Sequence, residues 1–253
     1  MTGYNQAIAH FKNAQSGSKG HMMTTDQSDE TATETTGAGD NRADEMSKGD
    51  TESVSEATSS VVTLPSYRII EGTSPALEFE CPAQSVITAA SGAFLAKSPH
   101  ISVYPSPDIL DMDCYENTGS DTEILYLSPS STGSLIAFDM QLHRKGLILS
   151  ASSFFASTEN INVETLLDLE LSGIQGPYRL HKATGEGVIM AFMSGDLFPI
   201  SLEDNTDHLQ VDARALAAME TSISFELEQL SNGQYVASLA GPGRIWLQSM
   251  PTQ

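Results

Sequence analysis

Positive charge is scarce in this chain: 12 Lys and Arg stand against 33 Asp and Glu, a formal net charge of −21 over 253 residues. Binding to a phosphate backbone draws on clustered Lys and Arg. The only basic clusters here are Arg144-Lys145 and the pair Arg179 and Lys182, so no nucleic acid is expected as a partner. Residues 1–60 hold 10 acids and 4 bases, a net of −6, which leaves −15 on residues 61–253. The excess therefore sits on the folded part as well, as in a soluble protein whose surface repels its neighbours. Cysteine is nearly absent. Cys81 and Cys114 are too few for a disulfide framework or a thiolate metal cluster, and Cys81 falls on the apolar face of an alternating run, as a buried thiol would. No apolar run approaches the ~20 residues that span a bilayer. The N-terminus has no signal-peptide h-region and is too acidic for an Arg-rich transit peptide. The expected location is cytoplasmic.

Catalytic signatures are missing too. There is no Gly-x-Ser-x-Gly elbow and no Gly-rich loop running into a helix. His100, His143, His181 and His208 all fall in expected turns or loops, away from any nucleophile pattern. No catalytic residue and no cofactor is assigned, and the protein is expected not to be an enzyme. Between Asp108 and Glu123 lie Asp108, Asp111, Asp113, Glu116, Asp121 and Glu123. They lack the order of an EF-hand, and the stretch reads as a solvated acidic loop. Asp111 and Asp113 are the one place in it for an ion.

What is present is repetition. Residues 87–103 recur at 147–163 and 209–225, offsets of 60 and 122, without a gap in the 17 positions. Ile87, Leu147 and Leu209 align, as do Phe94, Phe154 and Leu216, and Ile101, Ile161 and Ile223. Each copy follows an alternating run: Leu77–Cys81, Ile136–Met140 and Phe198–Leu202. A period near 60 residues points to tandem modules. Short β-branched runs separated by Gly, Pro, Asn, Asp or Ser continue from Tyr67 to Leu247, which is an all-β pattern. Gly92, Phe94 and Phe154 sit in small-residue contexts that read as tight corners. Glu164–Leu169 reads either as a turn of helix or as the continuation of a strand. At the end, Gly241-Pro242-Gly243-Arg244 fits a type II β-turn, with Gly243 supplying positive φ. It would close a hairpin between Tyr235–Ala240 and Arg244–Gln248, with Trp246 on one face beside Arg244 and covering the last sheet or a subunit contact.

The repeated module and the ending Gly-Pro-Gly-Arg-x-Trp-x-Gln over residues 241–248 resemble the altered inheritance of mitochondria protein 24 family, whose fold is similar to that of the tryptophan RNA-binding attenuator protein. The resemblance runs from about Tyr67 to Met250. It implies three tandem attenuator-like β-sandwich modules, akin to a double-stranded β-helix, and assembly of three chains into a ring. The chain departs from the family in its loops. Segments such as Ser172–Gly187 are less Gly-rich, and Asp212-Ala-Arg-Ala replaces a Gly-containing turn.

The expected organisation is an acidic leader over 1–60 and β-modules over 61–131, 132–194 and 195–253. Residues 24–60 carry one branched aliphatic side chain and no aromatic, too little apolar surface to offset the entropy of ordering. Within the leader, 4–14 has the spacing of a short amphipathic helix, and 1–22 reads equally as a tag ending in Ser16-Gly-Ser-Lys-Gly-His-Met22. The expected function is a non-enzymatic ring-forming scaffold that is a homotrimer with a further protein partner. The rival is a small-ligand-binding module with a pocket between β-modules. RNA binding by fold analogy comes third and runs against the charge.

Overall fold

The computed structural model describes residues 9–11, 64–171 and 176–250. The unit Ala14–Val62, and with it nearly all of the acidic leader, lies outside the described residues. Two strands precede the repeats: β1 (Ala9–Phe11) and β2 (Ser66–Ile70). Where residues 4–14 suggested a helix, residues 9–11 instead form a strand paired with the chain near Phe225.

Three sets of six strands follow. The first comprises β3 (Ala76–Cys81), β4 (Val86–Ala90), β5 (Phe94–Lys97), β6 (Ile101–Pro105), β7 (Met112–Asn117) and β8 (Glu123–Leu127). The second comprises β9 (Gly133–Asp139), β10 (Leu147–Ser150), β11 (Phe154–Thr158), β12 (Ile161–Glu170), β13 (Pro177–Gly185) and β14 (Val188–Ser194). The third comprises β15 (Leu197–Leu202), β16 (His208–Asp212), a 3-10 turn at Ala213–Ala215, β17 (Leu216–Glu220), β18 (Ser224–Gln229), β19 (Tyr235–Ala240) and β20 (Gly243–Gln248).

Pairing repeats with the sequence. In each set the sixth strand lies between the first and third, and the fifth lies between the second and fourth, all antiparallel. The second strand of one set then pairs with the third strand of the next, β4 with β11 and β10 with β17. The result is two inner sheets of six strands, β6-β7-β4-β11-β14-β9 and β12-β13-β10-β17-β20-β15. Two outer sheets of four, β2-β3-β8-β5 and β1-β18-β19-β16, complete the fold.

One apolar core lies between each successive pair of sheets. Leu77, Phe79 and Leu125 face Ile87, Phe155 and Phe192 in the first. Phe138, Phe154 and Ile189 face Leu147, Leu149 and Trp246 in the second. Ile148, Leu180 and Ile245 face Phe225, Leu227 and Leu239 in the third. An outer strand such as β3 keeps strict alternation, with Leu77, Phe79 and Cys81 inward, because water covers its other face. Inner strands such as β10 and β11 are buried throughout, because cores cover both faces.

Every third strand carries a register shift against its sixth-strand neighbour, between Phe94 and Ala96, Phe154 and Ala156, and Leu216 and Ala218. A bulge of this kind turns adjacent side chains to different sides of the sheet. Phe154 thus enters its own module's core and Phe155 the preceding one.

The structure corrects several local expectations. β19 and β20 do not form a hairpin, since β19 pairs with β16 and β18 while β20 pairs with β15 and β17. The chain passes between sheets there, and Gly243 lies far from the φ near +80° of a type II turn's third position. Gly243 does take positive φ, at 149°. Glu164–Leu169 continues β12 as a strand. Ser172–Gly187, read as a loop, contains all of β13, and the acidic stretch Asp108–Glu123 contains β7. Gly185, at φ 122°, ends β13 where an added Cβ would sit 2.0 Å from the Asn160 carbonyl oxygen.

Candidate functional site

The junctions between modules leave two strands unmatched. A third strand is paired on both edges when a preceding module supplies a second strand, as β11 and β17 are. Among the described residues no module precedes β5, and it pairs with β8 alone. Likewise β16 is a second strand without a third strand beside it among the described residues, and it pairs there with β19 alone. The consequence is visible in side-chain exposure. Phe154, Phe155 and Ala156 are 3%, 5% and 0% exposed, and Leu216, Ala217 and Ala218 are 1%, 0% and 1%. The equivalent Phe94 and Leu95 are 50% and 57% exposed, and Ala96 is exposed as well. Apolar character and the register shift are shared, and among the described strands β5 alone of the three lacks its second neighbour.

The β16 edge shows the matching deficit. Ile87 and Leu147 are fully buried at the second-strand position where Leu209 is only half-buried. Beside the end of β16, Asp212 accepts hydrogen bonds from the Arg214 backbone N–H and guanidinium, at 2.7–3.0 Å. The Arg214 guanidinium holds the Asp212 carboxyl below its usual range. This pair fixes the 3-10 turn at Ala213–Ala215.

Residues 67–250, which span β2 to β20, match the model of the mitochondrial biogenesis AIM24 family. The chain belongs to that family. Its fold is shared by the crystal structure of protein SPYM3_0169 from Streptococcus pyogenes, at a TM-score of 0.63 and 14% identity, over 74% of this chain and 94% of that one. No curated protein matches the sequence significantly. Among the described residues no helix is long and apolar enough to cross a membrane.

Within this AIM24-family fold the ending singled out in the sequence is a structural tie. Trp246 is 5% exposed in the second core, with its ring edge-on to Phe138 at 4.9 Å and to His143 at 6.0 Å. Arg244 is exposed, and its backbone N–H donates to Glu220 Oε2. Gln248, which closes that ending and has no role assigned from the sequence, is buried. Its amide donates to the Arg214 carbonyl at 2.8 Å and accepts from the Ser194 N–H at 3.0 Å, joining the second module to the third. Asn117 was missed in the same way. Its amide donates to the Cys81 and Asp121 carbonyls, both at 2.8 Å. The signal in each case is a lone amide closing a strand, where buried backbone groups need partners.

A cleft of about 660 Å³ opens between the first and second modules. It is lined by the turn at Ser91-Gly92, by Asp111, and by Asp168, Arg179 and His181 on β12 and β13. Arg179 Nε donates to Asp168 Oδ2 at 2.9 Å, and His181 Nδ1 lies 3.2 Å from Thr165 Oγ1. Burial, helped by Arg179, holds the His181 imidazole below its usual pKa. The arrangement offers polar groups for orienting a small molecule. The Asp168 carboxylate pairs with Arg179 and not with His181, so the three do not form a base–orienter chain of the kind that activates a hydroxyl.

The other histidines are dispersed. His100 bonds Glu123 at 2.7 Å, His143 packs on Trp246, and His208 opens β16. Expected in turns or loops, His181 and His208 in fact lie on strands. Asp111 sits at a turn with φ 61° and Asp113 on β7. They do not combine with a further His, Cys, Asp or Glu into a metal-binding group among the described residues.

Proposed function

We propose that this chain is a non-enzymatic scaffold that assembles with copies of itself, head to tail, into a closed ring of three chains. The observation that carries the reading is the exposure of Phe94 and Leu95 at positions buried in the two other modules. Apart from β2 and β1 at their far edges, the outer sheets each have the strand composition of half an inner sheet. Joining β16 of one copy to β5 of the next would make a continuous sheet of the same plan as the two inner ones. An open apolar edge strand is otherwise a template for uncontrolled pairing, and a head-to-tail contact is satisfied everywhere only when the ring closes. The edges of β6, β9, β12 and β15 stay open at the internal junctions as well, so they do not select a copy-to-copy contact.

The number of chains follows the family resemblance. At micromolar concentration, size exclusion with light scattering should give three times the 27.1 kDa chain mass. A single-chain mass under those conditions overturns the ring. The cleft between the first two modules supports the second reading, a small-ligand site. The assembly reading is preferred because the apolar surface lacking a partner lies on β5. The net charge of −21 sets both readings ahead of RNA binding.

A further inference from the structure

Resting on the assembly reading, the repeated register of the internal junctions specifies the contact between copies residue by residue. At the first junction Ile87, Thr88 and Ala89 stand opposite Thr158, Ser157 and Ala156. At the second, Leu147, Ile148 and Leu149 stand opposite Glu220, Met219 and Ala218. The sequence repeat relates these positions by its own offsets of 60 and 122 residues, so the two registers are the same. A side-chain period of two makes such a register strict, because a slip of one residue would turn every buried side chain outward.

We propose that a second copy of this chain binds with its β16 antiparallel to β5, with Leu209 opposite Ser98, Gln210 opposite Lys97 and Val211 opposite Ala96. Leu95 then takes the place of Phe155 and Ala217, which enter the core of the preceding module. Its side chain is covered by the third module of the other copy, next to the core containing Val211 and Leu239. The middle pair of this contact, Gln210 with Lys97, is more polar than Thr88 with Ser157 or Ile148 with Met219. That suits a contact formed between separately folded chains, whose edges meet water before they meet each other. Pro99, directly after Ser98, has no N–H and ends the ladder at that side.

The test is disulfide capture in the full chain carrying both Lys97→Cys and Gln210→Cys. Directly opposed strand residues have Cβ atoms about 4.5–5.5 Å apart, near the spacing a disulfide needs. The native Cys81 and Cys114 are buried, and burial pushes the Cys81 thiol up to about 12, so neither competes well. Mild oxidation should move most chains into a covalent oligomer on a non-reducing gel, ending at the closed ring without a ladder of larger species. The slipped pair Lys97→Cys with Val211→Cys points to opposite faces and should give at least about tenfold less. If wild type assembles by light scattering but the first pair does not cross-link, or the slipped pair cross-links better, the register is wrong while the assembly stands. If the wild-type chain is monomeric, both fail.

Discussion

Trp246→Ala should destabilise the folded chain by about 3–5 kcal/mol, the usual cost of removing a large aromatic side chain from a packed core. Trp246 is the chain's only tryptophan and is 5% exposed. Its edge-on contacts with Phe138 and His143 come from the second module, while its own strand belongs to the third. The lost volume would therefore open in the core that holds two modules together. Contacts from both sides restrict collapse around the gap, which puts the cost toward the upper end of that range. Total stabilities are commonly only about 5–15 kcal/mol, so the variant should lose a large share of its margin. Urea titration followed by circular dichroism measures the change, with Trp246→Phe as a milder companion. A shift below about 1 kcal/mol would mean that the second core is not packed as described.

Leu95→Asp should convert the assembly to single chains without unfolding them. Leu95 is 57% exposed in the isolated chain, so a carboxylate there is solvated and costs the fold little. In the proposed assembly the same position would become a core position, where an unpaired carboxylate is strongly disfavoured. A penalty of about 3 kcal/mol per contact corresponds to roughly a hundredfold weaker association. Light scattering should report the mass of one chain, and the circular dichroism spectrum should match wild type. Phe155→Asp, at the equivalent position inside the chain, should instead unfold the first core, since Phe155 is 5% exposed already. An unchanged oligomer for Leu95→Asp would place the contact elsewhere.

The parts of this fold legible in the sequence are those with water on one side. β3 and β18 alternate cleanly and could be placed from Leu77–Cys81 and Ile223–Leu227. The third strands could not. β11 is buried throughout and β17 over its first four residues, and both are rich in small residues, so they present neither alternation nor a β-branched run and read as corners. β7 mixes Met112, Cys114 and Tyr115 with Asp113 and Glu116, and its acidic residues hid a strand buried on both sides. The ending was half legible. Its Gly and Pro announce a reversal, yet nothing local says whether the chain returns beside itself or crosses to another sheet.

The open edges lie further still from the sequence. The repeat makes residues 94–96 look equivalent to 154–156 and 216–218, and only the strand order shows that the first copy lacks the neighbour the other two possess. The buried amides of Asn117 and Gln248 are hidden for a related reason, because their partners lie on strands distant in sequence.

Backbone hydrogen exchange along β5 tests edge-to-edge assembly most directly, because the same molecule supplies its own controls. In an isolated chain one side of β5 is unpaired, and the amides facing that side should exchange rapidly, as exposed backbone does. β11 and β17 are paired on both sides and should exchange slowly. In wild type at micromolar concentration, residues 94–97 should be protected to the same degree as 154–158 and 216–220, and Leu95→Asp should remove that protection from β5 alone. Rapid exchange at alternate residues of β5 in wild type, with β11 and β17 protected, would contradict assembly through this edge.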